Sequence, residues 1–390
     1  MIDPGREAPE GSPHPFALLG DLMLSPLLAC NLGCSYCYQD ARRTCGPAVP
    51  LKSGKEWANH AALLFRHSVR PEINVILTGG EPLLIGAQWY HEFFDEFEGA
   101  MRPFGKTVHY LLQTNGSLAP SVELEGLFLR HGMRISVHYD GLIEGEELKS
   151  QDRKAVIERL SRSGFPLSAV VVGTGPALER LPETLDFFHR VGVAQYRLNR
   201  VGGEGRGGRE YIPPPRQRAV AEFLTGFHAW KNGFKPFEPG IIWKFVAFCR
   251  ERTGLYRRPA AVSSLQCGGG ETSLTIYPDG AVYPCAFFCA LSGPVFHISE
   301  ADRLNDATVT RLRNACKEGS PDFEQRCAGC EALVYCEGYC AMSVQRDDQE
   351  QLCESQRELL KIMRQQPAIS TAIANAYLEF ENARKNSLPE

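Results

Sequence analysis

Cys30-Asn31-Leu32-Gly33-Cys34-Ser35-Tyr36-Cys37 carries three thiols on one short segment with the spacing CxxxCxxC. Three thiolates so spaced can hold three irons of a 4Fe-4S cluster, leaving the fourth iron open to a small-molecule ligand. A structural zinc knob is the plainer alternative. Zinc sites of that kind close with four ligands, however, and no His follows here at ligand spacing; Cys45 is a further candidate ligand. A second group is larger, with nine of the 14 cysteines between Cys267 and Cys353 and only Cys249 separating the two groups. Cys267 is followed by twelve residues, Gly280, four residues and Cys285. Then come Cys327-x2-Cys330-x5-Cys336-x3-Cys340 and, twelve residues on, Cys353. A zinc ribbon would need a second CxxC pair, which this run lacks. Two metal-bearing modules are expected.

The elements that must position these thiols are legible as alternating apolar patterns. Strand candidates are 22–29, 73–79, 107–114, 133–139, 167–173 and 194–199, with helical periodicity near 53–68, 87–101, 119–130, 150–163 and 178–191. Five βα steps with short connections imply a parallel sheet whose functional residues sit at the C-terminal strand ends. Six strands are too few for the closed eight-stranded form, so the fold class is α/β, a partial (β/α)6 TIM-type barrel. A Gly-rich break follows, then a helical stretch near 216–232. From 263 the pattern changes to short strands, with Asp279-Gly280 as a hairpin turn. The expected organisation is an N-terminal segment (1–21), the partial barrel (22–208), a helical connector (209–262), a cysteine-rich domain (263–353) and a helical tail (354–390).

Composition bounds the compartment and partners. The chain has 390 residues, 43% hydrophobic and 23% charged, with a formal net charge of -4. That is enough apolar material for a full core, and it argues against disorder and against bulk nucleic-acid binding. No stretch reaches the roughly 18 apolar residues of a membrane helix. The first twenty residues lack a basic region followed by an apolar one, so no signal peptide is read and a cytoplasmic location is expected. In that reducing setting clustered cysteines point to metal rather than disulfides.

The chain resembles the radical S-adenosylmethionine (SAM) superfamily, and the likeness extends beyond CxxxCxxC. Thr78-Gly79-Gly80-Glu81-Pro82 ends the second strand where that superfamily has GGEP, contacting the methionine amino group. Two glycines let backbone pass close to a ligand, and carbonyls with a carboxylate suit an ammonium. Tyr36 occupies the aromatic position packed near the SAM adenine. Gln113-Thr114-Asn115-Gly116 ends the third strand like the TNG of many members, and Gly205-Arg206-Gly207 resembles the family's GR turn. The fourth strand departs: where the family often reads SxDG, this chain has His138-Tyr139-Asp140-Gly141. Ser136 and His138 are the candidate SAM contacts on that strand.

The C-terminal cysteines resemble the seven-cysteine SPASM pattern, which implies two auxiliary iron-sulfur clusters and thus three 4Fe-4S clusters in all. Carried over, the resemblance gives Cys327, Cys330, Cys336 and Cys353 to auxiliary cluster II, and Cys267, Cys285 and Cys340 to auxiliary cluster I. Cys289 and Cys316 are candidates for the missing fourth ligand. Sulfatase-maturing relatives have an extra Cys where Ser273 stands, and an Asp acting as base where Ala286 stands.

The resemblance covers about residues 22–353. It implies reductive cleavage of SAM to a 5′-deoxyadenosyl radical that abstracts hydrogen from an unactivated C–H bond. The leading expectation is oxidative modification, such as a side-chain crosslink, of a ribosomally made precursor peptide, with flavodoxin or ferredoxin as electron donor. Asp140, His138 and Cys289 are the candidate bases. With 29 residues before Cys30 and 37 after Cys353, a separate leader-recognition protein is expected. Sulfatase-type protein maturation, small-molecule dehydrogenation and a non-enzymatic iron-sulfur carrier are the alternatives; a carrier would not need GGEP.

Overall fold

The computed structural model describes residues 14–39, 50–140, 147–201, 211–253, 268–286, 293–315, 327, 329–336 and 349–386. In chain order these form β1 (Asp21–Leu27), α1 (Gly54–Phe65), β2 (Glu72–Gly79), α2 (Ala87–Met101), β3 (Thr107–Thr114), α3 (Val122–Arg130) and β4 (Arg134–His138). There follow α4 (Glu147–Arg162), β5 (Leu167–Val172), α5 (Gly175–Glu179), α6 (Leu181–Arg190), β6 (Gln195–Asn199), α7 (Pro215–Lys231) and α8 (Pro239–Arg252). The remainder is β7 (Ser273–Ile276), β8 (Ala281–Tyr283), β9 (Phe296–His297), α9 (Asp306–Asn314), α10 (Leu333–Cys336), α11 (Gln349–Gln365) and α12 (Pro367–Asn386). All six expected strands are present. Among the described residues the sheet does not close, in keeping with a partial barrel. Among the described residues no helix is long and apolar enough to cross a membrane.

Contacts divide the chain into two compact units; of the described residues the first holds 14–135 and 268–315, the second 136–201, 211–253 and 327–386. In the first unit the strands run β3-β2-β1-β7-β8-β9. β1, β2 and β3 are parallel neighbours, with Leu22 opposite Val75 and Val75 opposite Tyr110. β7 also lies parallel to β1, Met23 facing Thr275, while β8 and β9 continue antiparallel. The cysteine-rich hairpin therefore extends the sheet that carries the CxxxCxxC segment. Its turn was expected from Asp279-Gly280; its pairing with β1 was not.

Strand alternation sets the two faces. Leu22, Leu24, Ile73, Val75, Leu77 and Leu112 are fully buried, and Tyr110 on the same face packs 4.8 Å from Phe94 of α2. On α2, Trp89, Tyr90, Phe93, Phe94 and Phe97 recur at helical spacing and are all buried. Each such side chain contributes about 1.5–3 kcal/mol. α1 opens with a capping box, Ser53 accepting from Glu56 N while the Glu56 carboxylate accepts from Ser53 N.

The second unit contains the order β6-β5-β4, with β5 and β6 parallel, Val172 opposite Asn199. Its helices are joined by a buried ionic group. The Glu222 carboxylate of α7 accepts from Arg218 Nε (3.0 Å), Lys244 Nζ of α8 (2.5 Å) and Gln356 Nε2 of α11 (3.3 Å). Burial pushes Glu222 up, but the two cations outweigh it and hold the carboxyl below its ordinary range. The tail packs back on this unit, Tyr377 and Phe380 of α12 each lying 5.4 Å from Phe234. Helix α8 falls inside the stretch expected as connector.

Candidate functional site

Cys30, Cys34 and Cys37 lie in the segment directly after β1, all half-buried. The Cys37 amide donates to the Cys34 carbonyl (3.2 Å), and the Leu32 amide donates to Cys30 Sγ (3.4 Å). The segment is tied to the end of β2, where Gly80 N donates to Leu27 O (2.8 Å) and Glu81 N to Ala29 O (2.9 Å).

That tie explains the two glycines. Gly79 adopts φ +121°, and a Cβ there would stand 2.4 Å from Leu27 O; a Cβ on Gly80 would stand 2.0 Å from Ala29 O. The close approach that demands glycine is thus to the backbone leading into Cys30. Pro82 starts a short 3-10 turn, and its carbonyl accepts from the Tyr90 hydroxyl (2.9 Å).

Glu81 has an internal use. It is 0% exposed. Its Oε1 accepts from Leu83 N and Thr114 Oγ1 (both 2.9 Å), and its Oε2 from Asn115 N (2.8 Å). Burial pushes the carboxyl above its ordinary range, against the pull of these three donors. The carboxylate therefore clamps the end of β3 to the end of β2.

The clamp aims Asn115. Its Nδ2 donates to Cys30 Sγ (3.6 Å) and to Asn31 Oδ1 (2.9 Å). Its Oδ1 accepts from Ser117 N (2.9 Å), and Asn31 Nδ2 donates to Ser117 Oγ (2.8 Å). The ends of β2 and β3 are thus both tied to the segment that follows β1, β2 through the Leu27 and Ala29 carbonyls and β3 through the Cys30 sulfur. Asn31, Thr114 and Ser117 were not singled out from sequence; the signal available was their position inside or beside CxxxCxxC and TNG. Among the described residues no three His, Cys, Asp or Glu side chains converge as they would on a single metal ion. Thiolates of a cluster each take a different iron, and N–H donors directed at a ligand sulfur tune such a cluster; three thiols on one short segment, one of them with two N–H donors, fit that group. Tyr36 is half-buried beside Cys37.

The second unit holds the fourth-strand candidates. Ser136 is buried and His138 half-buried on β4. Burial lowers the His138 pKa, opposed by the Asp140 carboxylate and reinforced by the Arg153 guanidinium. Arg153 also donates to the His138 carbonyl and lies over the Tyr139 ring, 5.6 Å from its centroid. Asp140 is 2% exposed, and its Oδ1 accepts from Val172 N (2.7 Å), fastening the end of β4 to the end of β5. This is a structural task for a residue expected as a base.

Of the auxiliary cysteines, Cys285 follows β8 in the first unit, beside the buried Ala286. Cys327, Cys330, Cys336 and Cys353 all fall in the second unit. Cys330 N donates to Cys327 O (3.0 Å). The segment between these cysteines is anchored twice. Glu331 accepts from Arg364 of α11 (2.6 Å), and the Tyr335 hydroxyl donates to Glu251 of α8. Cys353 and Arg357 stand one turn apart on α11, and the Arg357 guanidinium donates to Glu354 (3.1 Å). Cys45, Gly141, Gly205-Arg206-Gly207, Cys267, Cys289, Cys316 and Cys340 lie outside the described residues.

No family model matches the chain. It is 23% identical over 364 residues, 88% of this chain and 84% of the relative, to the serine-type anaerobic sulfatase-maturating enzyme of Klebsiella aerogenes. Native anSMEcpe with bound AdoMet matches with a TM-score of 0.70 at 15% identity, covering 91% of this chain and 99% of that one. Streptococcus suis SuiB bound to its precursor peptide SuiA matches with a TM-score of 0.59 at 15% identity, covering 84% and 72%. The chain is thus similar along nearly its whole length to an anaerobic sulfatase-maturating enzyme and shares the fold of anSMEcpe and SuiB.

Proposed function

We propose that the chain is a radical SAM maturase that oxidatively modifies a side chain of a ribosomally made peptide, forming a crosslink. The observation that carries the reading is the way the cysteine segment after β1 is held, by β2 through the Leu27 and Ala29 carbonyls and by β3 through the Asn115 amide on Cys30 Sγ. Cys30, Cys34 and Cys37 would hold the SAM-binding cluster; Cys327, Cys330, Cys336 and Cys353 an auxiliary one, and Cys267, Cys285 and Cys340 another. When bound, the first cluster and SAM supply the one-electron cleavage that yields a hydrogen-abstracting radical.

The chain's own residues orient and deprotonate. Gly79 and Gly80 hold the cysteine segment against β2, and Glu81 fixes Asn115. A proton must leave the substrate as the second electron departs, and the Ala286 methyl cannot take it. Of the described candidates, His138 is an imidazole whose pKa burial lowers, and Asp140 accepts from Val172 N through one oxygen; Cys289 is the third. A flavodoxin or ferredoxin as electron donor and a separate leader-recognition protein complete the proposal. Peptides bound to anSMEcpe and to SuiB support a peptide substrate.

Sulfatase-type maturation is the second reading, favoured by the whole-length match to the Klebsiella aerogenes enzyme and opposed by Ala286. Calorimetric SAM binding and 5′-deoxyadenosine release under dithionite test the enzyme, with C30A/C34A/C37A expected to abolish both. Cleavage that survives the triple change overturns the site. Mass analysis of a small peptide encoded beside the gene, co-expressed with the enzyme, against a sulfatase-derived peptide separates the two substrates.

A further inference from the structure

Asn115 is oriented without ambiguity. Its side-chain oxygen must face the Ser117 backbone N–H, a group that can only donate (2.9 Å), and the Ser117 hydroxyl lies 2.5 Å from the same oxygen. The amide nitrogen is thereby turned to Cys30 Sγ (3.6 Å) and Asn31 Oδ1 (2.9 Å). The Leu32 amide adds a second donor to the same sulfur (3.4 Å). Behind Asn115, its own backbone N–H is held by the buried Glu81 carboxylate (2.8 Å), and neighbouring Thr114 is held by the other oxygen (2.9 Å). Glu81 and Asn115 belong to motifs 34 residues apart in the chain, and the structure links them in series onto one sulfur.

We propose that Asn115 is a positioning residue that sets the reduction potential of the cluster held by Cys30, with Glu81 fixing its aim. The inference rests on the functional reading above, since it requires Cys30 to be a cluster ligand. An N–H directed at a ligand sulfur stabilises the more negative, reduced state, which raises the potential. Removing the donor lowers the potential, and replacing it with a carboxylate lowers it further. Asn115→Asp is nearly isosteric and keeps the oxygen that Ser117 needs. Asn115→Ala deletes the donor without adding charge.

The test is an anaerobic redox titration of the full-length, reconstituted protein followed by electron paramagnetic resonance. The relevant cluster is the one whose signal changes on adding SAM and vanishes in C30A/C34A/C37A. The midpoint is expected to fall in the order wild type, N115A, N115D. Reduction of N115D should be on the order of tenfold less favourable, which is about 59 mV for one electron. If N115D fails to retain iron, the N115A midpoint decides. Midpoints of both variants equal to wild type, with the SAM response intact, overturn the inference and leave the functional reading standing. A wild-type protein with no SAM-responsive signal overturns the functional reading and this inference together, a result distinct from unmoved midpoints.

Discussion

Replacing Glu81 by Gln separates a carboxylate that touches SAM from one that only builds the site. The side chain keeps its size, but one of two acceptor oxygens becomes an N–H donor. The best placement leaves oxygen where Leu83 N and Thr114 Oγ1 both donate (2.9 Å) and puts the new amide against Asn115 N, now donor facing donor at a former 2.8 Å contact. One charge-assisted bond is lost and one buried N–H is left unsatisfied, a local cost of about 2–3 kcal/mol. At 1.4 kcal/mol per tenfold, amide exchange of residues 114–117 should accelerate roughly 30- to 150-fold. Hydrogen exchange read by mass spectrometry on that peptide measures it, with SAM affinity measured in parallel. The pH dependence carries a sign. The Glu81 carboxyl is raised in the folded state by burial, so its stabilisation is full below the unfolded value near 4.3 and declines as pH rises through the folded pKa. E81Q should lack that decline. Loss of SAM binding with exchange at 114–117 unchanged would refute the clamp and return the carboxylate to direct ligand contact.

Two further expectations concern the second unit. Asp140→Asn keeps an oxygen for Val172 N, so thermal stability and product yield should hold within about twofold, well short of the tenfold that 1.4 kcal/mol in a barrier would give. A tenfold fall in product with 5′-deoxyadenosine still released would instead make Asp140 the base. Glu222 is held below its ordinary pKa despite burial, so its stabilisation is present above the unfolded value and is lost as pH falls through the folded one. Glu222→Gln leaves Arg218 and Lys244 buried beside a neutral partner; it should cost about 3–5 kcal/mol at neutral pH and flatten that acid limb in urea titrations. A full acid limb in the variant would assign it to other carboxylates.

The strands, most helices and the hairpin turn were legible because each rests on local periodicity or on a two-residue turn code. The cysteine segment was legible for a different reason: thiol spacing on one short stretch already limits the chemistry. The meaning of Gly79-Gly80-Glu81 was only half legible. Sequence gives glycines that permit close approach, but which backbone approaches is set by β1 running beside β2, and that pairing delivers Leu27 and Ala29. Likewise a carboxylate after a strand reads as a contact for a cation, and its three internal donors come from residues that sequence spacing alone does not bring to it. The pairing of β7 with β1 was hidden because its partners are about 250 residues apart, Asp21 with Ser273, and no local pattern encodes so distant a neighbour. Asp140 illustrates the same limit from the opposite side. Its place before a glycine at a strand end reads as reactive, and that its Oδ1 also accepts from the Val172 amide 32 residues on could not be read from the sequence. Residue type and spacing thus identify the chemistry available to a segment, whereas strand order decides which of its polar groups remain to face a ligand. In this chain that division falls between Cys30, which the sequence exposes, and Asn115, whose task becomes visible only when β3 is laid beside β2.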